Sequence, residues 1–202
     1  MKMKFEKQSI LGLMIIAIIV FFAWRMYEES AFFQLRCIIS NVDGEEYCVR
    51  DREKSQEAVD LLARVVNKCN QLVSHLKETK AEHPVTKRLV EGYNPKSIRE
   101  TLPTSSHTAY SENKGEKMAF CLSKMKNSNK KLIDLNTLTF VALHEVAHIA
   151  TISVGHTQEF WQNFKYLLDR AVDLGIYNPV DYKNEPTGYC GMTINDNPYY
   201  DM

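Results

Sequence analysis

The feature that most constrains the fold is a long apolar segment carrying three polar side chains. Residues 139–152 read TFVALHEVAHIATI, and apart from His144, Glu145, His148 and two threonines every position is Ala, Val, Leu, Ile or Phe. A helix that is apolar on all sides lies inside a protein. Burying two imidazoles and a carboxylate is costly unless a partner satisfies them, and a metal ion does so directly. The segment therefore predicts a buried helix, capped by Asp134 or Asn136, that binds a metal.

The spacing of these side chains indicates zinc chemistry. His144 and His148 are four residues apart, so both imidazoles lie on one helical face and can bind a single zinc ion. Glu145 follows the first ligand and points beside the metal. From there it can accept a proton from zinc-bound water and pass that proton to a leaving amine. The pattern predicts a hydrolytic site with Glu145 as the general base.

A catalytic zinc site normally has three protein ligands, so a third is expected nearby. We expect the helix to continue to residues 153–154 and to end at Gly155, which can adopt a positive φ. His156 follows directly, and Thr157 can cap a second helix. Glu159, one turn into that helix, is the rival ligand, although an acidic residue in a first turn also favours the helix dipole. The position after the glycine favours His156.

Residues 144–161, HEVAHIATISVGHTQEFW, resemble the active-site stretch of the WLM and SprT-like zinc metalloproteases, in which HExxH is followed by Gly-His and then Phe-Trp. The similarity covers Leu138 to about Leu168. More loosely, the hairpin before it and the segment YNPVDY…YCGM after it resemble uncharacterised WLM-type proteins of large DNA viruses.

That resemblance implies a compact α+β domain of the zincin type, spanning residues 31–202. It implies that His144, His148 and His156 hold the zinc and that Glu145 is the general base. It also implies proteolysis, and in cellular members of the family the targets are often proteins crosslinked to DNA.

The N-terminal segment is the second strongly apolar part of the chain. From Ser9 to Trp24 it reads SILGLMIIAIIVFFAW, sixteen residues without a charge, against the roughly 17–25 that span a bilayer core. A cleaved signal peptide needs small residues at its cleavage site, which the sequence after Arg25 lacks. Residues 1–30 therefore predict an uncleaved single-pass membrane anchor. Lysines before the segment favour a cytosolic N-terminus.

Other segments carry local structure signals. Residues 32–50 predict a hairpin, with Asp43-Gly44 at its centre. Apolar periodicity predicts a helix from Ser55 to about Lys80, and Pro84 and Gly92 delimit a shorter one. A second hairpin is expected between Thr108 and Leu122.

Five cysteines without a C-x-x-C pair argue against a disulfide scaffold or a zinc knuckle. A loop centred on Asp43-Gly44 places Ile39, and not Cys37, opposite Cys48. We therefore expect Cys37 and Cys48 to be free thiols.

The charge balance argues against bulk attraction to nucleic acid. Twenty-five Lys and Arg offset twenty-five Asp and Glu, whereas nucleic-acid-binding domains usually show a basic excess. A lysine-rich loop follows the second hairpin, and we interpret it as a solvated connector; its lysines are Lys124, Lys126, Lys130 and Lys131. Direct binding of nucleic acid is not expected.

Two further parts of a peptidase site are expected. In zincins an edge strand beside the metal helix pairs with an extended peptide, and Lys117–Leu122 is our candidate for that strand. Tyr189 or Tyr110 could supply an oxyanion-stabilising hydroxyl. The remaining histidines are expected to be ordinary polar residues, namely His75, His83 and His107.

The sequence thus predicts a membrane-anchored zinc endopeptidase that hydrolyses peptide bonds of a protein or peptide substrate. Two alternatives stay open: a catalytically silent zincin-fold module tethered to a membrane, and a zinc amidase acting on cell-wall peptides. The sequence predicts no particular oligomeric state.

Overall fold

The computed structural model describes residues 2–30, 34–126 and 131–201, with the backbone alone for residues 2–9, 28 and 29. Phe32 and Phe33, where the first strand was expected to start, lie outside the described residues. So do residue 31, the expected start of the domain, and Lys130 in the lysine-rich loop.

Helix α1, Lys2–Glu29, contains the apolar N-terminal segment. Its most apolar window is Ile10–Tyr27, with a mean hydropathy of 2.2 and no part buried against the rest of the protein. Eighteen residues at about 1.5 Å each give roughly 27 Å, close to the thickness of a bilayer core. Within the described part of the chain it is the one helix with the length and composition to cross a membrane.

The remaining elements form the α+β arrangement predicted from the sequence. In chain order they are β1 (Leu35–Ile39), β2 (Glu46–Arg50), α2 (Ser55–Thr79), α3 (Pro84–Gly92), a 3-10 turn (Pro95–Ser97), β3 (Ile98–Glu100), β4 (Ala109–Glu112), β5 (Lys117–Phe120), α4 (Leu135–Ala150), α5 (Gln158–Asp173), β6 (Thr187–Tyr189), β7 (Met192–Ile194) and a 3-10 turn (Pro198–Tyr200). The bounds of α2 and α3 agree with the predicted helices.

Strand β5 lies at the centre of a three-stranded sheet. It pairs parallel with β3 and antiparallel with β4. Because both edges of β5 are occupied, the prediction that Lys117–Leu122 offers a free edge to a peptide is wrong. The strand at the edge of this sheet on the α4 side is β4, which contacts that helix.

Helix α4 occupies the middle of the core, as its composition predicts. It packs against α2, α3 and α5 and against strands β4 and β5. The apolar stripe of α2 faces it, and the buried members of that stripe are Ala58, Val59, Leu62, Val65, Val66, Cys69, Leu72 and Leu76. Each fully buried Leu or Val side chain contributes about 1.5–3 kcal/mol to stability. The helix that carries His144, Glu145 and His148 is therefore held in the hydrophobic core of the domain.

The first hairpin has a register that differs from the prediction. Its loop runs from Ser40 to Glu45, closed by a hydrogen bond from the Ser40 N–H to the Glu45 carbonyl at 2.9 Å. The Asp60 carboxylate of α2 accepts from the Asn41 N–H at 2.9 Å and holds this wider loop. The pairing therefore shifts, and Cys37 lies opposite Cys48.

The expectation of free thiols is consequently wrong. Cys37 and Cys48 form a disulfide, and a second disulfide joins Cys121 to Cys190. The second pair is 69 residues apart in sequence and its Cα atoms are 6.0 Å apart, so only the tertiary fold brings it together. Cys69 remains as a buried free thiol.

A buried ion network stabilises the strand side of the domain. The Glu100 carboxylate is fully buried; it accepts from the Arg50 N–H at 2.8 Å and pairs with the Arg52 guanidinium. Arg50 also donates to the Thr101 carbonyl at 2.7 Å, and Arg52 donates to the Ser123 hydroxyl at 3.1 Å. The network connects β2 to β3 and to the chain after β5.

Candidate metal centre and active site

Helix α4 begins and ends through identifiable side-chain contacts. The Asp134 carboxylate accepts from the Thr137 N–H at 2.8 Å, which makes Asp134 the N-cap. The helix ends at Ala150, so the expectation that it reaches residues 153–154 is wrong. Thr151 is extended, and its hydroxyl donates to the Ala147 carbonyl at 2.7 Å.

Basic side chains from other elements donate hydrogen bonds to the carbonyls at the end of helix α4. Lys114, in the turn between β4 and β5, donates to the carbonyls of His148 at 3.2 Å, Thr151 at 2.6 Å and Ser153 at 3.2 Å. Arg88 of α3 donates to the Ala150 carbonyl. Because these cations satisfy the last carbonyls, the helix stops one turn earlier than its apolar pattern suggests.

The chain then folds back toward the helix. Gly155 has the positive φ that the sequence predicts, +84°, and Thr157 caps α5 by accepting from the Phe160 N–H at 3.3 Å. The Glu159 carboxylate accepts from the N–H groups of Ile152 and Ser153, both at 3.1 Å. These bonds, led by that from Ile152, hold the pKa of Glu159 below its usual value. Glu159 thus anchors the loop that precedes His156.

Three imidazoles converge at this point. The ligand atoms of His144, His148 and His156 all lie within 4.8 Å of one another, and the Nε2 atoms of His144 and His156 are 2.9 Å apart. Nitrogens about 2.0–2.1 Å from a tetrahedral zinc lie roughly 3.3 Å from each other. The measured pair and the upper limit lie on either side of that value, so the three nitrogens are close enough to share one zinc ion.

The electrostatics of the cluster suit metal binding. Burial, reinforced by the neighbouring imidazoles, lowers the pKa of His144 to about 3. Burial, together with His156 and Lys114, lowers the pKa of His148 to about 4. Both rings are therefore neutral at physiological pH, and the neutral imidazole is the form that binds a metal.

Aromatic rings fix the orientation of the imidazoles. Phe160 is fully buried and stacks on His148, with ring centroids 4.3 Å apart, while its ring meets those of His144 and His156 edge-on. Trp161 stacks against His156 at 5.6 Å. These ring contacts hold the three imidazoles in the orientation that brings their nitrogens together.

Glu145 lies beside the cluster and is 6% exposed. Burial raises its pKa to about 8, and no hydrogen bond from the described residues reaches its carboxylate. A cation held by the neighbouring imidazoles would lower that pKa, because an opposite charge favours the ionised form. The carboxyl group is placed to exchange a proton with a molecule in the adjacent cavity.

That cavity encloses about 840 Å³, within the range of small-molecule and peptide sites. One side is α4 with His144, Glu145 and His148, and the opposing walls are β4 and the segment around β7. Residues 108–111 of the β4 strand and its approach line the cavity. An extended peptide can reach both the exposed strand edge and the histidine cluster from this space.

Both tyrosines that could supply an oxyanion-stabilising hydroxyl line the cavity, and that role stays a prediction for each. The Tyr189 hydroxyl accepts from the Cys121 N–H at 3.1 Å and donates to the Thr108 carbonyl at 3.2 Å, so it ties the C-terminal segment to the sheet. Tyr110 lines the cavity, and its ring lies edge-on to His107. His75 and His83 lie outside the histidine cluster.

Sequence reasoning missed the residues that hold the cluster together. Lys114 and Arg88 bind the end of α4 from distant parts of the chain, and no local pattern marks them. Phe160 belongs to the Phe-Trp pair of the family resemblance, but its packing against all three imidazoles was not predicted. The Cys121–Cys190 disulfide was missed because its partners belong to different elements.

Comparison with known proteins identifies viral relatives. The chain is 27% identical over 186 residues to the uncharacterised protein R325 of Acanthamoeba polyphaga mimivirus, a match that covers 90% of this chain and 91% of the relative. Seventy residues are 41% identical to the uncharacterised protein 136R of Invertebrate iridescent virus 6, covering 35% of this chain and 38% of that one. The relatives are uncharacterised viral proteins.

No protein-family model matches the chain. Among solved structures, the crystal structure of Wss1 from Saccharomyces cerevisiae is similar with a TM-score of 0.42 and 15% identity, covering 61% of this chain and 84% of that one. The expected likeness to viral proteins is thus confirmed, whereas the finer assignment to the WLM and SprT-like proteases stays a prediction.

Proposed function

We propose that this chain is a membrane-anchored zinc-dependent endopeptidase. The observation that carries the proposal is the convergence of His144, His148 and His156 beside the buried carboxyl of Glu145, on the wall of a cavity bordered by a strand edge. Three neutral nitrogen ligands leave one position for water or substrate, as catalytic zinc sites do. The whole arrangement is that of a site for hydrolysis.

Each group in this site has a defined task. Zinc, when bound by the three imidazoles, supplies a Lewis acid that polarises a carbonyl and acidifies water. The Glu145 carboxylate takes the proton released by the attacking water and delivers it to the departing amine nitrogen. The edge of β4 binds the substrate backbone through main-chain hydrogen bonds, which favours an extended peptide over a folded one.

The buried carboxyl of Glu145 favours catalysis over a silent binding module. Burial disfavours the charged form of this carboxyl group, which faces the cavity, and zinc binding needs only the three histidines. A module that only binds its partner has no use for such a group. A zinc amidase would use the same machinery, so the alternatives differ in substrate and not in residues.

The N-terminal helix supplies the membrane part of the proposal. Helix α1 has the apolar length of a single-pass anchor, and residues 31–202 form the domain that it tethers. The balanced charge of the chain favours protein or peptide substrates over direct contact with nucleic acid.

The test compares Glu145→Gln with Glu91→Gln, a matched change at an exposed position, in the full-length chain in detergent micelles. Zinc content, melting temperature and cleavage of a diverse peptide library are measured on the same preparations. Glu145→Gln should keep its zinc and lose cleavage by about two to four orders of magnitude, the worth of a positioned acid–base group. Glu91→Gln should match the wild type.

Two outcomes contradict the assignment. Undiminished cleavage by Glu145→Gln would exclude Glu145 as the base. A wild-type protein that holds zinc and cleaves no peptide would support the binding module instead.

A further inference from the structure

The Cys121–Cys190 disulfide joins the central sheet to the C-terminal hairpin. Cys121 follows β5, and Cys190 lies in the turn between β6 and β7; both side chains are buried. Next to the disulfide, the Cys190 N–H donates to the Ser123 carbonyl at 3.1 Å and the Gly191 N–H donates to the Lys124 carbonyl at 2.9 Å. The hairpin is therefore attached to the domain at its turn.

The hairpin in turn forms a wall of the active-site cavity. Tyr189 and residues 192–196 line the cavity together with β4 and α4. Strands β6 and β7 have three residues each and pair only with one another among the described strands. Because an isolated two-stranded hairpin is at best marginally stable, the position of this wall depends on its attachments.

The disulfides also indicate the kind of compartment in which the domain lies. Four of the five cysteines are paired, and paired cysteines persist in oxidising surroundings but not in the cytosol. The fifth, Cys69, is fully buried, and burial raises its pKa to about 12. It is therefore inert toward thiol exchange.

The charges on either side of the apolar segment of α1 independently favour the same side of the membrane for the domain. Three basic residues precede the apolar segment, namely Lys2, Lys4 and Lys7, whereas Arg25 is the one basic residue in the ten positions that follow Trp24. The more basic flank favours the cytosolic side of a membrane. A single crossing then places the domain that follows on the opposite side, where disulfides form.

We propose that the cavity takes its substrates on the oxidising, non-cytosolic side of a membrane, and that the Cys121–Cys190 disulfide fixes the wall against which they bind. The substrate class is extended segments of proteins exposed on that side; their cleavage rests on the proposed function above. Closure of the disulfide is a thiol–disulfide exchange. The two thiols give up two protons and two electrons, and a small-molecule or protein disulfide accepts them and leaves as two thiols.

The first experiment tests the side of the membrane without any activity measurement. The full-length chain is translated with microsomes, digested with a protease from the cytosolic side, and labelled in denaturant with a maleimide polymer. The domain should be protected and one cysteine labelled, with five labelled after reduction. A digested domain, or five labels without reduction, would overturn the proposal.

The second experiment tests the wall by comparing Cys121→Ser/Cys190→Ser with Cys37→Ser/Cys48→Ser, whose disulfide lies outside the cavity lining. The first variant should keep its zinc, become sensitive to proteolysis within residues 187–196, and lose cleavage about tenfold or more, since small misplacements at a site have large effects. The second should cleave within about twofold of the wild type, because its change is remote from the site.

Reversible reduction of the wild-type disulfides provides a test even if the Cys121→Ser/Cys190→Ser variant does not fold. Wild-type protein treated with dithiothreitol should show the same local sensitivity, and oxidised glutathione should reverse it. If the hairpin resists proteolysis equally well in the reduced protein, the disulfide does not fix this wall of the cavity and the proposal is refuted. A wild type that cleaves nothing would reject the proposed function, while the labelling and proteolysis results still decide this proposal.

Discussion

Gly115 lies against the backbone of Gly92, next to Lys114, whose side chain binds the end of helix α4. Gly115 has a φ of +106°, and a Cβ built on it would lie 2.1 Å from the Gly92 carbonyl oxygen and 3.0 Å from Cδ1 of Ile149. The obstacle is backbone, which no rotamer change can move. Gly44 provides a control, since its φ is +76° and a Cβ there would meet nothing within 4 Å.

The two alanine variants should therefore differ by the cost of that contact. A left-handed conformation costs an L-residue about 1–2 kcal/mol, and both variants carry this term. Forcing extra volume into a packed site costs about 1–3 kcal/mol more, which applies to Gly115→Ala alone. At about 2–4 °C per kcal/mol for a protein of this size, Gly115→Ala should melt roughly 2–12 °C below Gly44→Ala.

A functional consequence follows from the position of the contact. Lys114 precedes Gly115 and donates to three carbonyls around the end of α4. Displacement of this turn should weaken zinc binding in Gly115→Ala but not in Gly44→Ala. Melting temperature with a chelator present, and zinc affinity by competition with a chromophoric chelator, provide the two readouts. Equal melting temperatures for the two variants would refute the packing argument, and equal zinc affinities would refute the role of the turn.

Two further predictions concern carboxylates that bind other parts of the chain. Glu100→Gln should lower the free energy of unfolding by about 3–5 kcal/mol in urea titrations, because it leaves two buried guanidinium groups without their counter-charge; Asp51→Asn, in an exposed pair, should change it by less than about 1 kcal/mol. The pKa of Glu159 is lowered by hydrogen bonds from Ile152 and Ser153. Its contribution to the stability of the folded protein is therefore fully present above the unfolded-state pKa of about 4.3, and it is lost as the pH falls through the lower folded-state pKa. The melting-temperature difference between wild type and Glu159→Gln, measured with a chelator, should shrink between about pH 5 and pH 3; a constant difference would contradict it.

The elements that the sequence predicted correctly are those whose signals are local. Asp134 and Thr157 cap helices through bonds to residues three positions ahead, and Pro84 starts α3 at its first residue. The apolar stripe of α2 needs only its own period of 3.6 residues. The spacing of His144 and His148 by one helical turn, and the turn at Gly155 that precedes His156, are equally local signals.

The errors all arise where a contact with a residue distant in the sequence determines the local structure. Asp60 widens the first hairpin loop and thereby shifts the register that pairs Cys37 with Cys48. Strand β3, which was not predicted, covers the edge of β5 that a peptide was expected to use. Lys114 ends α4 before its apolar pattern does. Each contact joins segments at least 19 residues apart, beyond the reach of periodicity or capping rules.

The site combines two elements of very different local stability. His144 and His148 belong to the most enclosed helix of the domain, whose amide protons should exchange with solvent only through global unfolding. His156 lies on an exposed loop, with Val154 beside it 90% exposed, whose amides should exchange through local opening. The hydrogen bonds of Glu159 and the ring contacts of His156 with Phe160 and Trp161 hold this loop in place, so loss of those contacts should release His156 while His144 and His148 stay fixed on their helix.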